Sequence, residues 1–176
     1  SDLGWAIIEK DTNKAIELIN TGANLRVYEN EESIKKIVTP NLKTTYIRRM
    51  DTEVYPLAIL AASAGQDEVI KAMIDKDKEA IFLKDSYEND ALMWASREGH
   101  VSTVKLLLEY GFDPLYVSPL SKLSAYELSM RKDKDKVLEL FIAHLLKQNR
   151  IEKFEETIWR LAGNDELGIV KKLLEL

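Results

Sequence analysis

The sequence predicts a mainly all-α solenoid of stacked helix-turn-helix units. Three observations carry that prediction. A block of sequence recurs at a spacing of 34 residues, which is the mark of a repeat architecture. Within each copy the apolar residues fall at i, i+3 and i+4, the spacing of one face of a helix. A glycine or a substitute for it stands midway in each copy, where a left-handed turn joins two helices.

The clearest pair of copies is Ala61-Ala62-Ser63-Ala64-Gly65-Gln66 with Val69, Met73 and Ile74, and Ala95-Ser96-Arg97-Glu98-Gly99-His100 with Val104, Leu107 and Leu108. A third begins at Ser129-Met130 and runs through Val137, Leu138 and Phe141, with Asp133 in place of the glycine. A fourth begins at Leu161-Ala162 and runs through Val170, Leu173 and Leu174, with Asp165 at the turn. The front copy, around Ala6-Ile7 and Ala15-Ile16, has Lys10 there, a residue that takes a left-handed conformation at greater cost. Pro56 suits a first helical position, where no N–H is required. Gly22 and Gly111 read as the residues that end second helices, a place that Asp77 takes in the copy between them. Ala6, Ala61, Ala62, Ala95 and Ser96 are small enough to let neighbouring first helices approach closely. One helix pair cannot bury its apolar face alone, so the stability of such a chain comes from stacking.

A period of 34 fits two helical repeat families, and helix length separates them. The first helix has little room before Gly65 or Gly99, which leaves part of each unit for a loop or hairpin. The segment Asp90-Ala91-Leu92-Met93-Trp94-Ala95-Ser96-Arg97-Glu98-Gly99-His100, followed by Val104-Lys105-Leu106-Leu107-Leu108-Glu109-Tyr110-Gly111-Phe112-Asp113, resembles the ankyrin repeat pattern. Thr21-Gly22-Ala23-Asn24 and Ser124-Ala125-Tyr126-Glu127-Leu128 resemble further parts of it. Met93 and Glu127 stand where the pattern has His, and the second unit carries one residue too many between Pro56-Leu57 and Gly65. The resemblance implies an ankyrin-repeat solenoid with short loops or hairpins, in a single domain over 1–176. Its units are expected at approximately 1–24, 55–88, 89–122, 123–154 and 155–176, with an insertion within 25–54. The chain begins without Met and ends inside a helical pattern, so a longer parent protein is expected, and an alternative role is that of a targeting domain of a larger enzyme or secreted effector.

Composition narrows the function. The chain has 176 residues, 45% hydrophobic and 31% charged, so a packed core is expected and disorder is not. A net charge of −5 argues against a nucleic-acid partner. Without cysteine there are no disulfides, thiolate metal sites or thiol nucleophiles, and a reducing, cytoplasmic location fits (host cytosol, for a secreted effector). No apolar run is long enough to span a bilayer. No nucleotide-loop, zinc-protease or nucleophile-elbow motif occurs, so no catalytic residue, cofactor or metal is expected. His100 reads as structural, and His144 as a helix residue rather than a ligand.

Two candidate sites remain. The resemblance implies a protein partner held by a monomeric scaffold through its inner, concave helix surface and loop tips. The residues this maps onto are Leu60, Ser63, Trp94, Arg97, Glu98, Leu128, Arg131 and Lys132 on the helices, and Tyr87, Asn89 and Tyr116 at the tips, with Glu88 and Val117 beside them. Trp and Arg together have the make-up of an interface anchor, although Trp94 serves packing between units equally well. The second candidate is the insertion. Residues 31–38 read as a short helix and 42–47 as a weak strand. From 33 to 50 the basic residues Lys35, Lys36, Lys43, Arg48 and Arg49, with Tyr46, meet no acidic residue. That cluster reads either as a site for an anionic ligand or membrane, or as a solvated face balanced by Glu29, Glu31, Glu32, Asp51 and Glu53.

Overall fold

A computed structural model describes residues 1–30, 54–129 and 135–150. Four helix pairs follow one another. They are α1 (Asp2–Ile8) with α2 (Thr12–Asn20), α3 (Leu57–Ser63) with α4 (Asp67–Lys76), α5 (Ala91–Glu98) with α6 (Val101–Glu109), and α7 (Ala125–Ser129) with α8 (Asp135–Lys147). The first helices form one row, with α1 against α3, α3 against α5, and α5 against α7. The second helices form another, with α2 against α4, α4 against α6, and α6 against α8. This is the stacked helix-turn-helix solenoid that the repeats predict.

The core lies between the two rows. Val69, Met73, Ile74, Val104, Leu107 and Leu108 are all buried, as their helical spacing requires. Ala61, Ala62, Ala95 and Ser96 are buried where first helix meets first helix, and the Ser96 hydroxyl donates to the Leu92 carbonyl 2.6 Å away. Lys10, Gly65 and Gly99 hold φ of 58°, 70° and 81°, so the turn between helices is left-handed even where the sequence has lysine.

The helix starts explain two departures from the repeat pattern. Asp90 caps α5 by accepting from the Met93 N–H at 2.9 Å. Ser124 and Glu127 form a reciprocal capping box on α7: the Glu127 N–H donates to the Ser124 hydroxyl and the Ser124 N–H to the Glu127 carboxylate. Glu127 thus has a helix-start role of its own. Pro56 is not the first residue of α3 but its N-cap, at φ −59° and ψ 148°. It therefore stands in register with Asp90, and the apparent extra residue of the second unit disappears.

Asp77 does not take a glycine's place at the end of α4 either. Its φ is −151°, outside the left-handed region. Instead its carboxylate accepts from the N–H of Glu79, starting a 3-10 helix over Lys78–Phe82, and pairs with Arg26 at 2.7 Å. That hydrogen-bonded guanidinium holds the Asp77 carboxyl below its ordinary range.

The insertion leaves the array through a two-stranded antiparallel ribbon, β1 (Tyr28–Asn30) and β2 (Val54–Pro56), with Glu29 opposite Tyr55. Glu29 is buried against α1 at Gly4, where an added Cβ would stand 2.5 Å from the carboxylate oxygen. The expected helix over 31–38, the strand over 42–47 and the basic residues between 33 and 50 lie outside the described residues, as do Arg131, Lys132 and the unit at 155–176.

Candidate functional site

Leu60, Trp94 and Leu128 hold equivalent places on the inner helix row, and Trp5 precedes them on α1. They are not equally available. Trp5 is 45% exposed, Leu60 and Trp94 are half-buried, and Leu128 is buried at 6%. Leu128 was expected at the surface; its packing makes it core.

Trp94 is fixed on three sides. Its indole N–H donates to Asp85 Oδ2 at 2.9 Å. Tyr55, from the strand returning from the insertion, meets its ring edge to face with centroids 5.6 Å apart. The Arg97 guanidinium lies 4.8 Å from the ring centroid, within cation–π range. Trp94 thus packs against the core and also carries Arg97 on a partly exposed ring. Glu98 is exposed beside it, 3.7 Å from the Arg97 guanidinium. Ser63, on α3, turns its hydroxyl back to the Leu60 carbonyl at 2.9 Å.

The loop tips form a second set. Tyr87 and Asn89 lie in the turn after the 3-10 helix, where Glu88 holds φ of 60°. The next loop is joined to it by three hydrogen bonds. The Tyr116 hydroxyl donates to the Glu88 carbonyl, the Ser118 hydroxyl to the Tyr87 carbonyl, and the Ser121 hydroxyl to Asn89 Oδ1 at 2.7 Å. Lys84 stands 3.9 Å from the Tyr116 ring centroid. Before these loops, the Val54 N–H donates to the Ser86 hydroxyl at 2.8 Å, so the ribbon is tied in as well. Val117 and Leu120 are the exposed apolar residues of the last loop.

Comparison with known proteins decides the family. A family model described as ankyrin repeats in three copies matches residues 3–117, well over half of the chain. The chain belongs to the ankyrin repeat family. A stretch of 60 residues, 32% of this chain, is 50% identical to Inversin of Danio rerio, of which it covers 6%. Another of 64 residues, 36% of this chain, is 33% identical to a putative ankyrin repeat protein of Acanthamoeba polyphaga mimivirus, of which it covers 51%. Inversin of Gallus gallus is 50% identical over 50 residues, 28% of this chain and 4% of its own length. The chain thus spans about half or less of the length of each of these relatives.

Ankyrin repeats are in general protein–protein interaction modules, built on a non-catalytic fold. The matched region takes in α1 to α6, and thus Trp5, Leu60, Ser63, Tyr87, Asn89, Trp94, Arg97, Glu98 and Tyr116. Among the described residues no group of three or more His, Asp or Glu side chains is arranged to hold a metal ion, and no helix is long and apolar enough to cross a membrane.

The ankyrin units are also joined by polar bonds that the sequence pattern did not single out. The residues after the left-handed turns at Gly65 and Gly99 reach back to the preceding unit: His100 Nε2 lies 2.9 Å from the Ser63 carbonyl, and Gln66 Nε2 donates to the Ile7 carbonyl at 2.5 Å. Thr103, fully buried, donates to Asp67 of the preceding unit. His100 is therefore structural. His144 is half-buried, accepts from the Gln148 amide at 2.9 Å, and is held below its ordinary range by burial.

Asp90 is the titrating group beside the site. Burial raises its carboxyl to about 6, with neighbouring Asp85 adding to the rise and the Met93 N–H and Lys84 opposing it. Between about pH 4 and 6 the folded state then holds a proton that the unfolded chain has lost, so stability falls as pH rises through that window. The expected loss is about 3 kcal/mol, from a shift of roughly two units. Asp90→Asn keeps a capping acceptor. Urea unfolding at several pH values should show wild type losing stability relative to this variant between about pH 4 and 7; a constant difference would refute the assignment.

Proposed function

We propose that the chain is a protein-binding ankyrin module whose partner docks on the inner helix row around Trp94 and Arg97 and on the adjoining loop tips at Tyr87, Asn89 and Tyr116. The observation that carries this reading is the half-buried indole of Trp94, held by Asp85 and Tyr55 with Arg97 over its ring. An aromatic ring and a guanidinium on a rigid, partly exposed surface are what interface hot spots are made of. Docking on a surface already held in place loses little ordering entropy. Leu60 and Ser63 extend the same face toward Trp5. Net charge of −5 favours a protein over a nucleic acid as partner. The chain is read as one monomeric, intracellular array over 1–176.

Affinity capture with the full chain and with the Trp94→Ala/Arg97→Ala variant, read by mass spectrometry, tests this. A partner retained by wild type should lose more than about 2 kcal/mol of affinity to the double variant, the hot-spot range. Far-UV circular dichroism should show folding intact. Equal retention by a folded double variant would move the site elsewhere. Salt-sensitive pelleting of the chain with anionic liposomes, lost on Arg48→Glu/Arg49→Glu, would assign recruitment to the insertion instead.

A further inference from the structure

We infer that the outer edge of β1 is a docking site for an extended segment of a partner protein, which adds to the ribbon as a third strand. This site is distinct from the inner-row surface and uses neither Trp94 nor the loop tips as contacts.

The register of the ribbon fixes which backbone groups point outward. Val54 turns both of its groups away from β1: its N–H donates to the Ser86 hydroxyl at 2.8 Å, and that hydroxyl lies 3.5 Å from the Val54 carbonyl. In an antiparallel pair, residues that exchange hydrogen bonds alternate with residues that do not. Asn30 opposite Val54 is therefore a non-bonded pair, Glu29 opposite Tyr55 a bonded one, and Tyr28 opposite Pro56 non-bonded again. Pro56 obeys this alternation, because it has no N–H to give to β1. On the other strand the N–H and C=O groups of Tyr28 and Asn30 must then point away from β2, to the outer edge.

The two edges of the ribbon differ. At β2, Ser86 takes the outward groups of Val54, and Pro56 has no donor, so that edge is closed. Beyond it the tips are joined one to the next by Tyr116 with Glu88, Ser118 with Tyr87 and Ser121 with Asn89. β1 stands at the open end of this row. Among the described residues no hydrogen bond reaches the outward groups of Tyr28 or Asn30. Donors and acceptors that recur every second residue match an extended chain and not a helix.

The edge is also held in place. Side chains alternate between the faces of a strand. Glu29 is buried against α1, and Tyr55 opposite it packs on Trp94, so one face of the ribbon rests on the helices. Tyr28 stands on the other face and is 44% exposed. The residue of an added strand opposite Tyr28 shares that face, where a β-branched or aromatic side chain meets the ring.

The probes are linear peptides selected on the full chain from a random display library. With a selected peptide bound, NMR of the 15N-labelled full chain should show the Tyr28 and Asn30 amides protected from hydrogen exchange. Asn30→Pro removes one outward N–H while keeping the Tyr28 ring and the Glu29–Tyr55 pair, and should weaken the peptide about tenfold. Trp94→Ala/Arg97→Ala should leave its affinity unchanged. Single N-methyl groups placed along the peptide give a readout that a change in the chain's own stability would not move. Affinity should fall about tenfold at every second residue of the paired stretch, and little at those between. If Asn30→Pro disturbs the ribbon, this scan on the wild-type chain decides alone. The inference is overturned if no selected peptide protects Tyr28 and Asn30, or if the scan shows no alternation. Peptides lost on Trp94→Ala/Arg97→Ala with a flat scan would refute the edge and favour the inner row, so the two readings fail separately. Concentration-dependent dimerisation abolished by Asn30→Pro, read by sedimentation, would give the edge to a second copy and refute the partner strand.

Discussion

Leu92→Asp and Leu107→Asp are each expected to abolish the cooperative unfolding transition of the whole array. Both leucines are fully buried, on the first and second helix of the same unit. Truncating a buried leucine costs about 2–5 kcal/mol. A carboxylate in the same place adds the cost of a charge with no partner, so the sum exceeds about 5 kcal/mol and reaches the total stability of an ordinary domain. The solenoid spreads the damage. α5 is the surface on which both α3 and α7 pack, and α6 is the surface for α4 and α8. Losing the middle unit therefore leaves its neighbours with an uncovered apolar side each. Thermal unfolding followed by far-UV circular dichroism checks this: either variant should lack the wild-type transition and lose helical signal. A wild-type melting curve in Leu107→Asp would contradict the stacking register.

Much of this fold was legible in the sequence because its contacts are local or repeat at a fixed interval. Helix spacing marked Val69, Met73, Val104 and Leu107 as core, and the 34-residue period placed each pair on the next. What escaped depends on distance or on geometry that letters do not encode. The strands Tyr28–Asn30 and Val54–Pro56 are three residues each, too short for alternation to show, and their pairing spans the whole insertion. Pro56 was read as a first helical residue because proline favours that place. Only the turn at Gly65, which fixes the helix length backward from its end, sets it at the N-cap. Leu128 looked like a surface residue by alignment with Trp94, but it is buried, whereas Leu60, the same side chain at the equivalent place, is half-buried, so the residue type alone does not decide.

The candidate site divides in the same way. Trp94, Arg97, Tyr87, Asn89 and Tyr116 were identified by their places in the repeat. Asp85, which accepts from the Trp94 indole and from the N–H groups of Tyr87 and Asn89, was not, since an aspartate in a polar turn looks like any turn residue. Gln66 was passed over for a related reason. It occupies the position of His100 and reaches back to the preceding unit in the same manner, yet no pattern names it. For Gln66 a signal was present: a polar residue at the position of His100, whose structural role the repeat implies.

The turn at Gly65 carries the second large effect. Gly65→Ala is expected to destabilise the chain by about 2–4 kcal/mol, from two separate causes. The backbone there holds φ of 70°, a conformation that costs a residue with a Cβ about 1–2 kcal/mol. In addition, the new methyl would stand 2.8 Å from His100 Nδ1, closer than carbon and nitrogen can approach. The imidazole cannot swing aside freely, because its Nε2 is bonded to the Ser63 carbonyl across the same turn. Lys10 separates the two causes. It holds φ of 58° at the equivalent turn with a full side chain, so Lys10→Gly relieves conformational cost and should stabilise the chain by up to about 1 kcal/mol. Removing the ring in His100→Ala relieves only the steric part. Gly65→Ala and His100→Ala together should therefore cost less than the sum of the two alone, with a coupling of at least about 0.5 kcal/mol in urea unfolding. Strict additivity would mean that the ring and the methyl do not meet, and that the contact between the second and third units at this turn is looser than the geometry requires.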